Sequence, residues 1–221
     1  MFIERLNEKF NTNEPIFTEE ILELFSDYSR AQVFRYINKA KIEGLIVQFD
    51  KGVYYLPTNT FFGISVISVD SVIEKKYLRN NHDVFGVYSG LRLLNAFSVT
   101  TQFPAVIEIV SNNESSKCRD ITIQGRHFIL RRPRFKIDKN NVAIYTILQL
   151  FSDFGKETIL DELSKRILID YINENGIDLK QLLEFSLKFP TKTTYNLLRS
   201  GLINDVTRGK KSFCWSNTSS K

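Results

Sequence analysis

Apolar residues recur four apart at Phe2, Leu6 and Phe10, which predicts a short helix over 2–10 with one buried face. The run Asn11-Thr12-Asn13-Glu14-Pro15 breaks it. Thr18 then has the position of an N-cap, with Glu19 and Glu20 in the first turn and Phe17 and Leu22 spaced as a hydrophobic staple. That predicts a second helix to about Phe25. Ser26-Asp27-Tyr28 makes a tight connection. Ser29 with Gln32 forms an S-x-x-Q capping box, Tyr28 with Val33 a second staple, and a third helix runs to Glu43 before a C′ glycine at Gly44. Two β-rich runs, 45–49 and 53–56, flank Asp50-Lys51-Gly52 and read as a hairpin. Helix, helix, turn, helix and hairpin is the order of a winged helix-turn-helix, which the pattern places at 1–58.

The pattern changes after Pro57. Residues 68–78 and 89–97 show helical periodicity, whereas 106–110, 121–123 and 128–130 are strand-like, with Gly125-Arg126 as a hairpin turn after the earlier Gly86 turn. Over 59–136 this is an α+β unit. Residues 141–154, 156–174, 179–189 and 191–200 carry apolar residues at three and four, broken at Gly155, Gly176 and Pro190, and predict a helical bundle over 137–205. The expected fold class is therefore α+β: a winged helix-turn-helix, a mixed α/β unit and a C-terminal helical bundle, the last two forming one domain over 59–205. The tail 206–221, polar and basic apart from Phe213 and Trp215, predicts disorder.

Composition narrows the class. No apolar stretch approaches the ~20 residues that span a bilayer, and the N-terminus lacks a basic-then-apolar leader, so a soluble cytoplasmic protein is expected. Cys118 and Cys214 are too far apart to suggest a disulfide framework or a metal site. Charge is uneven. Residues 1–58 carry 7 Lys/Arg against 9 Asp/Glu, 59–136 carry 11 against 6, and 137–221 carry 12 against 10. The basic middle suggests a polyanionic partner, yet the helix-turn-helix segment is acidic overall.

Local sign on the third helix resolves this conflict. Val33, Ile37 and Ala40 should face the core, leaving Arg30, Gln32, Arg35, Tyr36 and Lys39 on a solvent-facing arc. Arg reads guanine and Gln adenine bidentately in the major groove, while Lys39, Lys41 and Lys51 suit phosphates. The acidic residues cluster in the first two helices, where they can face away from DNA. A second basic group, Lys117, Arg119, Arg126, Arg131, Arg132, Arg134 and Lys136, would form a stripe if 117/119 and 132/134/136 share faces of their strands. Such a stripe could hold DNA backbone, RNA or nucleotide phosphates, or be merely solvated.

Catalytic chemistry is thinly represented. His82 and His127 lack an obvious acid neighbour, and Gly86-Val87-Tyr88-Ser89-Gly90 is not the nucleophile-elbow order. Ser89-Gly90 could open a nucleotidyltransferase site, but that chemistry needs paired carboxylates and the next strand offers Glu108 alone. No enzyme, metal or cofactor is expected. The stretch 191–203 echoes 29–46, both ending Gly-Leu-Ile, and reads either as a second DNA-reading helix or as an ordinary capped one.

Two stretches together resemble the AbiE antitoxin family over about 30–135. One is the wing Lys51-Gly52-Val53-Tyr54-Tyr55-Leu56-Pro57. The other is Val87-Tyr88-Ser89-Gly90-Leu91-Arg92-Leu93-Leu94-Asn95, followed by Val99-Thr100-Thr101-Gln102-Phe103-Pro104 and closing at Leu130-Arg131-Arg132-Pro133. The resemblance implies an antitoxin of a type IV toxin–antitoxin, abortive-infection system that also represses its own operon at inverted repeats in promoter DNA. It further implies a nucleotidyltransferase-like toxin as functional partner without a required stable complex, and a monomer in solution that binds DNA cooperatively. The alternatives are a module that uses the 117–136 hairpin on RNA or on the toxin's substrate, and a nucleotide-transferring enzyme.

Overall fold

The computed structural model describes residues 2–61 and 63–207 of a mixed α+β protein. Its chain divides into two compact units, Met1–Lys76 with Ile123–Arg126, and Tyr77–Thr122 with His127–Lys221. The predicted tail disorder falls mainly on 208–221, outside the described residues, together with Phe213, Cys214 and Trp215. Residues 202–207 are helical, and Val206 is buried, so the ordered chain runs past the expected start of the tail.

In the first unit α1 (Phe2–Lys9) is followed by β1 (Ile16–Phe17), α2 (Thr18–Leu24), α3 (Arg30–Ile42), β2 (Val47–Asp50) and β3 (Val53–Tyr55). The strands form an antiparallel sheet in the order β1-β3-β2, with Ile16 opposite Tyr54 and Phe17 opposite Val53. The sequence pattern did not reveal β1, because two residues are too few to show alternation. Leu6, Ile16, Ile21, Val33, Ile37, Ala40 and Ile46 form one core, so α3 buries its expected face. One predicted cap moves, and the other keeps its N-cap residue but makes only half of its box. Phe17, not Thr18, is the N-cap of α2: the Phe17 N–H donates to the Glu20 carboxylate at 2.8 Å, while the Thr18 hydroxyl donates to the Gly52 carbonyl at 3.2 Å. At α3 the Ser29 hydroxyl accepts from the Gln32 N–H at 3.3 Å, but the Gln32 side chain turns to Tyr36 and leaves the box half-made.

The first unit continues beyond residue 58 through β4 (Asn59–Thr60), β5 (Gly63–Ile64) and α4 (Val69–Ile73), which runs into a π-helical turn at Glu74–Leu78. Its extension has a physical cause. All three residues of β3 are buried, so the sheet needs cover on its second face. Val53 and Tyr55 obtain it from Ile67 and Val72, and the Tyr55 hydroxyl donates to the Ser65 carbonyl at 2.8 Å.

Lys75 locks this extension to the helices. Its ammonium lies 2.9 Å from both Glu14 and Glu20 carboxylates and donates to the Pro15 carbonyl at 2.7 Å, with its side chain only 14% exposed. Burial pushes the Glu14 carboxyl upward, but the hydrogen bond and charge of Lys75 outweigh it and hold the group below its ordinary value. A carboxyl depressed on folding adds stability above its unfolded pKa and loses it as pH falls through the folded one. We predict that Lys75→Met costs about 2–3 kcal/mol at pH 7, between exposed and fully buried pairs. Urea unfolding at pH 7 and again below about pH 4, where an unfolded glutamate begins to protonate, should show the difference shrinking on acidification. An equal cost at both pH values would refute the assignment.

In the second unit β6 (Gly86–Ser89) leads into α5 (Gly90–Ala96), followed by β7 (Val106–Ser111), β8 (Arg119–Ile123) and β9 (Arg126–Arg131). The sheet order is β6-β7-β9-β8, antiparallel between β6 and β7 and parallel between β7 and β9. The β8–β9 turn falls at Gln124-Gly125, both with positive φ, one residue earlier than the predicted Gly125-Arg126. Four longer helices follow: α6 (Val142–Asp153), α7 (Glu162–Glu174), α8 (Leu179–Ser186) and α9 (Thr191–Arg199). Ile144, Tyr145, Ile147, Leu148, Leu150 and Phe151 of α6 are all buried, on every side of the helix, which marks α6 as the centre of this core. The predicted helix over 156–174 begins only at Glu162. Asp161 caps it by accepting from the Ser164 N–H at 2.8 Å, and 155–161 is irregular. The α9 echo of α3 rests on α6, where Asn196 donates to the Phe151 carbonyl at 3.0 Å. No helix among the described residues is long and apolar enough to cross a membrane.

Candidate nucleic-acid interface

The cap at Ser29 and the glycine at Gly44 delimit α3, and Val33, Ile37 and Ala40 anchor one side of it. On the other side Arg30, Arg35 and Lys39 are exposed, with Lys51 exposed at the β2–β3 turn. Lys39 lies 3.8 Å from Glu43 one turn on, and the Arg30 guanidinium lies 5.7 Å from the Phe34 ring. Asn38, exposed three residues after Arg35, was missed in the sequence although its spacing places it beside that surface.

The other predicted members have structural duties. Tyr36 is half-buried, its ring 5.5 Å from Phe2 and edge-on to Tyr28 at 5.6 Å, and its hydroxyl accepts from the Gln32 amide at 3.1 Å. Lys41 donates to the Gln48 side chain and so ties α3 to β2. Gln48 in turn donates to the Asp50 carbonyl at 3.2 Å.

Part of the acidic composition of this segment is paired locally. Arg5 pairs with Asp27 at 3.1 Å, and Lys75 takes both Glu14 and Glu20. The exposed side of α3 carries Arg30, Arg35 and Lys39, with Glu43 held by Lys39 near its end. That face can present a cation and an amide to base edges and further cations to phosphates.

The second basic group is distributed differently from the predicted stripe. Arg126 belongs to the first unit, where it pairs with Asp70 at 2.7 Å. Arg119 contacts Glu114 at 3.0 Å and donates to the Tyr77 hydroxyl at 3.2 Å, and Arg131 donates twice to Glu108, at 3.0 and 3.2 Å. Strand parity does not apply to the rest. Lys117 precedes β8, and β9 stops at Arg131, so Arg132, Arg134 and Lys136 lie on no strand. Pro133 cannot donate to a ladder, and Phe135 turns inward against Tyr145, Phe185 and Phe189.

At Ser89-Gly90 the fold supplies a carboxylate that sequence proximity hid. Asp153, at the end of α6, accepts from the Ser89 hydroxyl at 2.9 Å, the Gly90 N–H at 2.7 Å and the Gln149 amide at 2.9 Å. Burial pushes the Asp153 carboxyl upward against these three hydrogen bonds, and Glu108 adds to the rise. A Cβ on Gly90 would come within 2.7 Å of a Glu108 oxygen. Ser89 is buried and its hydroxyl also accepts from Gln149 at 3.0 Å, so the cluster fastens β6 and α5 to α6. Among the described residues no group of three or more His, Cys, Asp or Glu side chains could hold a metal ion. No protein-family model matches the chain, and no curated protein matches it.

Proposed function

We propose that the chain is a cytoplasmic, double-stranded DNA-binding autorepressor and the antitoxin of a type IV, AbiE-like pair. The single observation behind the DNA half is α3: a capped helix between a packed partner helix and a hairpin, with Arg30, Arg35 and Lys39 opposite its buried face. The order α1-β1-α2-α3-β2-β3 with sheet order β1-β3-β2 supports a winged helix-turn-helix, α3 being the reading helix and the β2–β3 turn the wing. In this reading Arg35 and Asn38 meet base edges in the major groove, and Lys39 and Lys51 meet phosphates. The operator would be inverted repeats in the chain's own promoter, bound cooperatively by monomers.

The antitoxin half rests on the resemblance over 87–104 and 130–133, whose residues lie in the second unit. In this reading the helices α6–α9 form a bundle behind the β6–β9 sheet and counter a nucleotidyltransferase-like toxin without a required stable complex.

The test is a gel shift on the sequence upstream of the chain's own operon. Specific retardation is expected, with log K falling against log salt by about 0.9 per neutralised phosphate, and Lys51→Ala should flatten that slope by about one such phosphate. Equal affinity for the operator and unrelated duplex would remove the repressor reading.

A further inference from the structure

A cavity of about 600 Å³ opens in the second unit, lined by Val110, Pro133, Tyr145 and Gln149 and by Lys117, Arg131, Arg132, Arg134 and Lys188. Five of its lining side chains are cationic and none is a carboxylate. Glu108 pairs with Arg131 and the Asp153 carboxyl behind Gln149 also acts on it, while among the described residues no carboxylate pairs with the other four. Like charges gathered in a concave surface focus a positive potential and cost stability unless an anion joins them. Arg134 and Lys188 are braced from within the core. The Arg134 N–H donates to the buried Tyr145 hydroxyl at 3.1 Å, and the Arg134 guanidinium stands 5.2 Å from the Phe189 ring. Lys188 lies over Phe185 and Phe135 at 4.6 and 4.9 Å. Gln149, tied to Ser89 and Asp153, secures the far wall.

We infer that this cavity binds the polyphosphate of a nucleoside triphosphate. Its volume lies within the range of small-molecule sites, and several convergent Arg and Lys side chains match three linked phosphates better than a single anion. Arg131, Arg132 and Arg134 flank Pro133 just where β9 ends, and all three line the cavity. This site is independent of α3 and of the DNA reading.

Equilibrium dialysis of the full chain against labelled ATP, GTP, CTP and UTP tests it. Saturable binding is expected for at least one triphosphate, weakening from tri- to monophosphate and absent for the nucleoside. Arg132→Ala with Arg134→Ala should weaken binding roughly 100-fold, about tenfold for each guanidinium removed. Lys117→Glu, at an exposed side chain outside the core, gives a second reading should the double variant fail to fold, and it too should weaken binding. Arg35→Ala with Lys39→Ala should leave nucleotide affinity unchanged, which separates this site from the DNA surface. The inference is overturned if no triphosphate binds saturably, if the rim substitutions leave affinity intact, or if a 5′-hydroxyl oligonucleotide binds there and triphosphates do not displace it.

Discussion

Arg35→Ala combined with Lys39→Ala should lower operator affinity by about 100-fold at fixed salt, while leaving the protein as stable as the parent to within about 0.5 kcal/mol. Both side chains are exposed on α3, and the helix is held by Val33, Ile37, Ala40 and the Ser29 cap, none of which the substitutions touch. A bidentate arginine on a base contributes about 1–3 kcal/mol of discrimination, and a phosphate-bound lysine adds affinity without sequence preference. The loss should therefore be larger on the operator than on unrelated duplex. Gel shifts on both DNAs measure it, beside a urea melt. Specific affinity within about threefold of the parent would move the reading surface off α3. The same variant divides the two halves of the proposal: it should derepress the operon yet still rescue growth against the toxin. Loss of rescue by the folded variant would show that toxin control runs through DNA binding.

Gly86→Ala should destabilise the second unit by about 3 kcal/mol or more, the upper end of overpacking effects. Gly86 begins β6 opposite Ser111, and a Cβ there would lie 2.0 Å from the Tyr77 carbonyl oxygen and 2.8 Å from that of Val110. Both obstacles are backbone. Neither can rotate away, because Phe85 donates to Leu78 at 2.8 Å and Asn112 donates to Phe85 at 2.7 Å, holding the chains on either side together. Relief would require separating the π-helical turn from the strand. Gly125 makes a useful contrast: nothing lies within 4 Å of its Cβ position, and only its φ of +76° resists substitution. Gly125→Ala should cost about 1 kcal/mol. Urea midpoints of the two variants test the ranking, and a Gly86→Ala cost below that of Gly125→Ala would show the close approach to be soft.

Much of the first unit was legible in the sequence because its determinants are local. The buried face of α3, its Ser29 cap, the glycine after it and the β2–β3 turn each depend on residues within a few positions of one another. Where a local reading failed, a competing partner had won, distant for Thr18 and within a turn or two for the others. Thr18 is drawn from the cap position by the Gly52 carbonyl, and Gln32 is taken by Tyr36. The helix expected from 156 gave way to a later start because Asp161 offers the better cap.

The candidate sites divide along the same line. Charge on the exposed face of α3 follows from helical periodicity, so Arg30, Arg35 and Lys39 could be named from sequence alone. What only the tertiary structure decided was which charges remain available and where they meet. Lys75 reaches back some 60 positions to neutralise Glu14, and Asp153 comes from α6 to hold Ser89 and Gly90. Lys188 joins Lys117 and Arg131–Arg134 around one cavity. Periodicity records which side of an element is buried, because burial acts on each element's own neighbours. It carries no information about which buried or exposed groups from separate elements are brought within a hydrogen bond of each other. That depends on chain closure, and here closure moved the end of the first unit to Lys76 and turned a supposed stripe into a pocket.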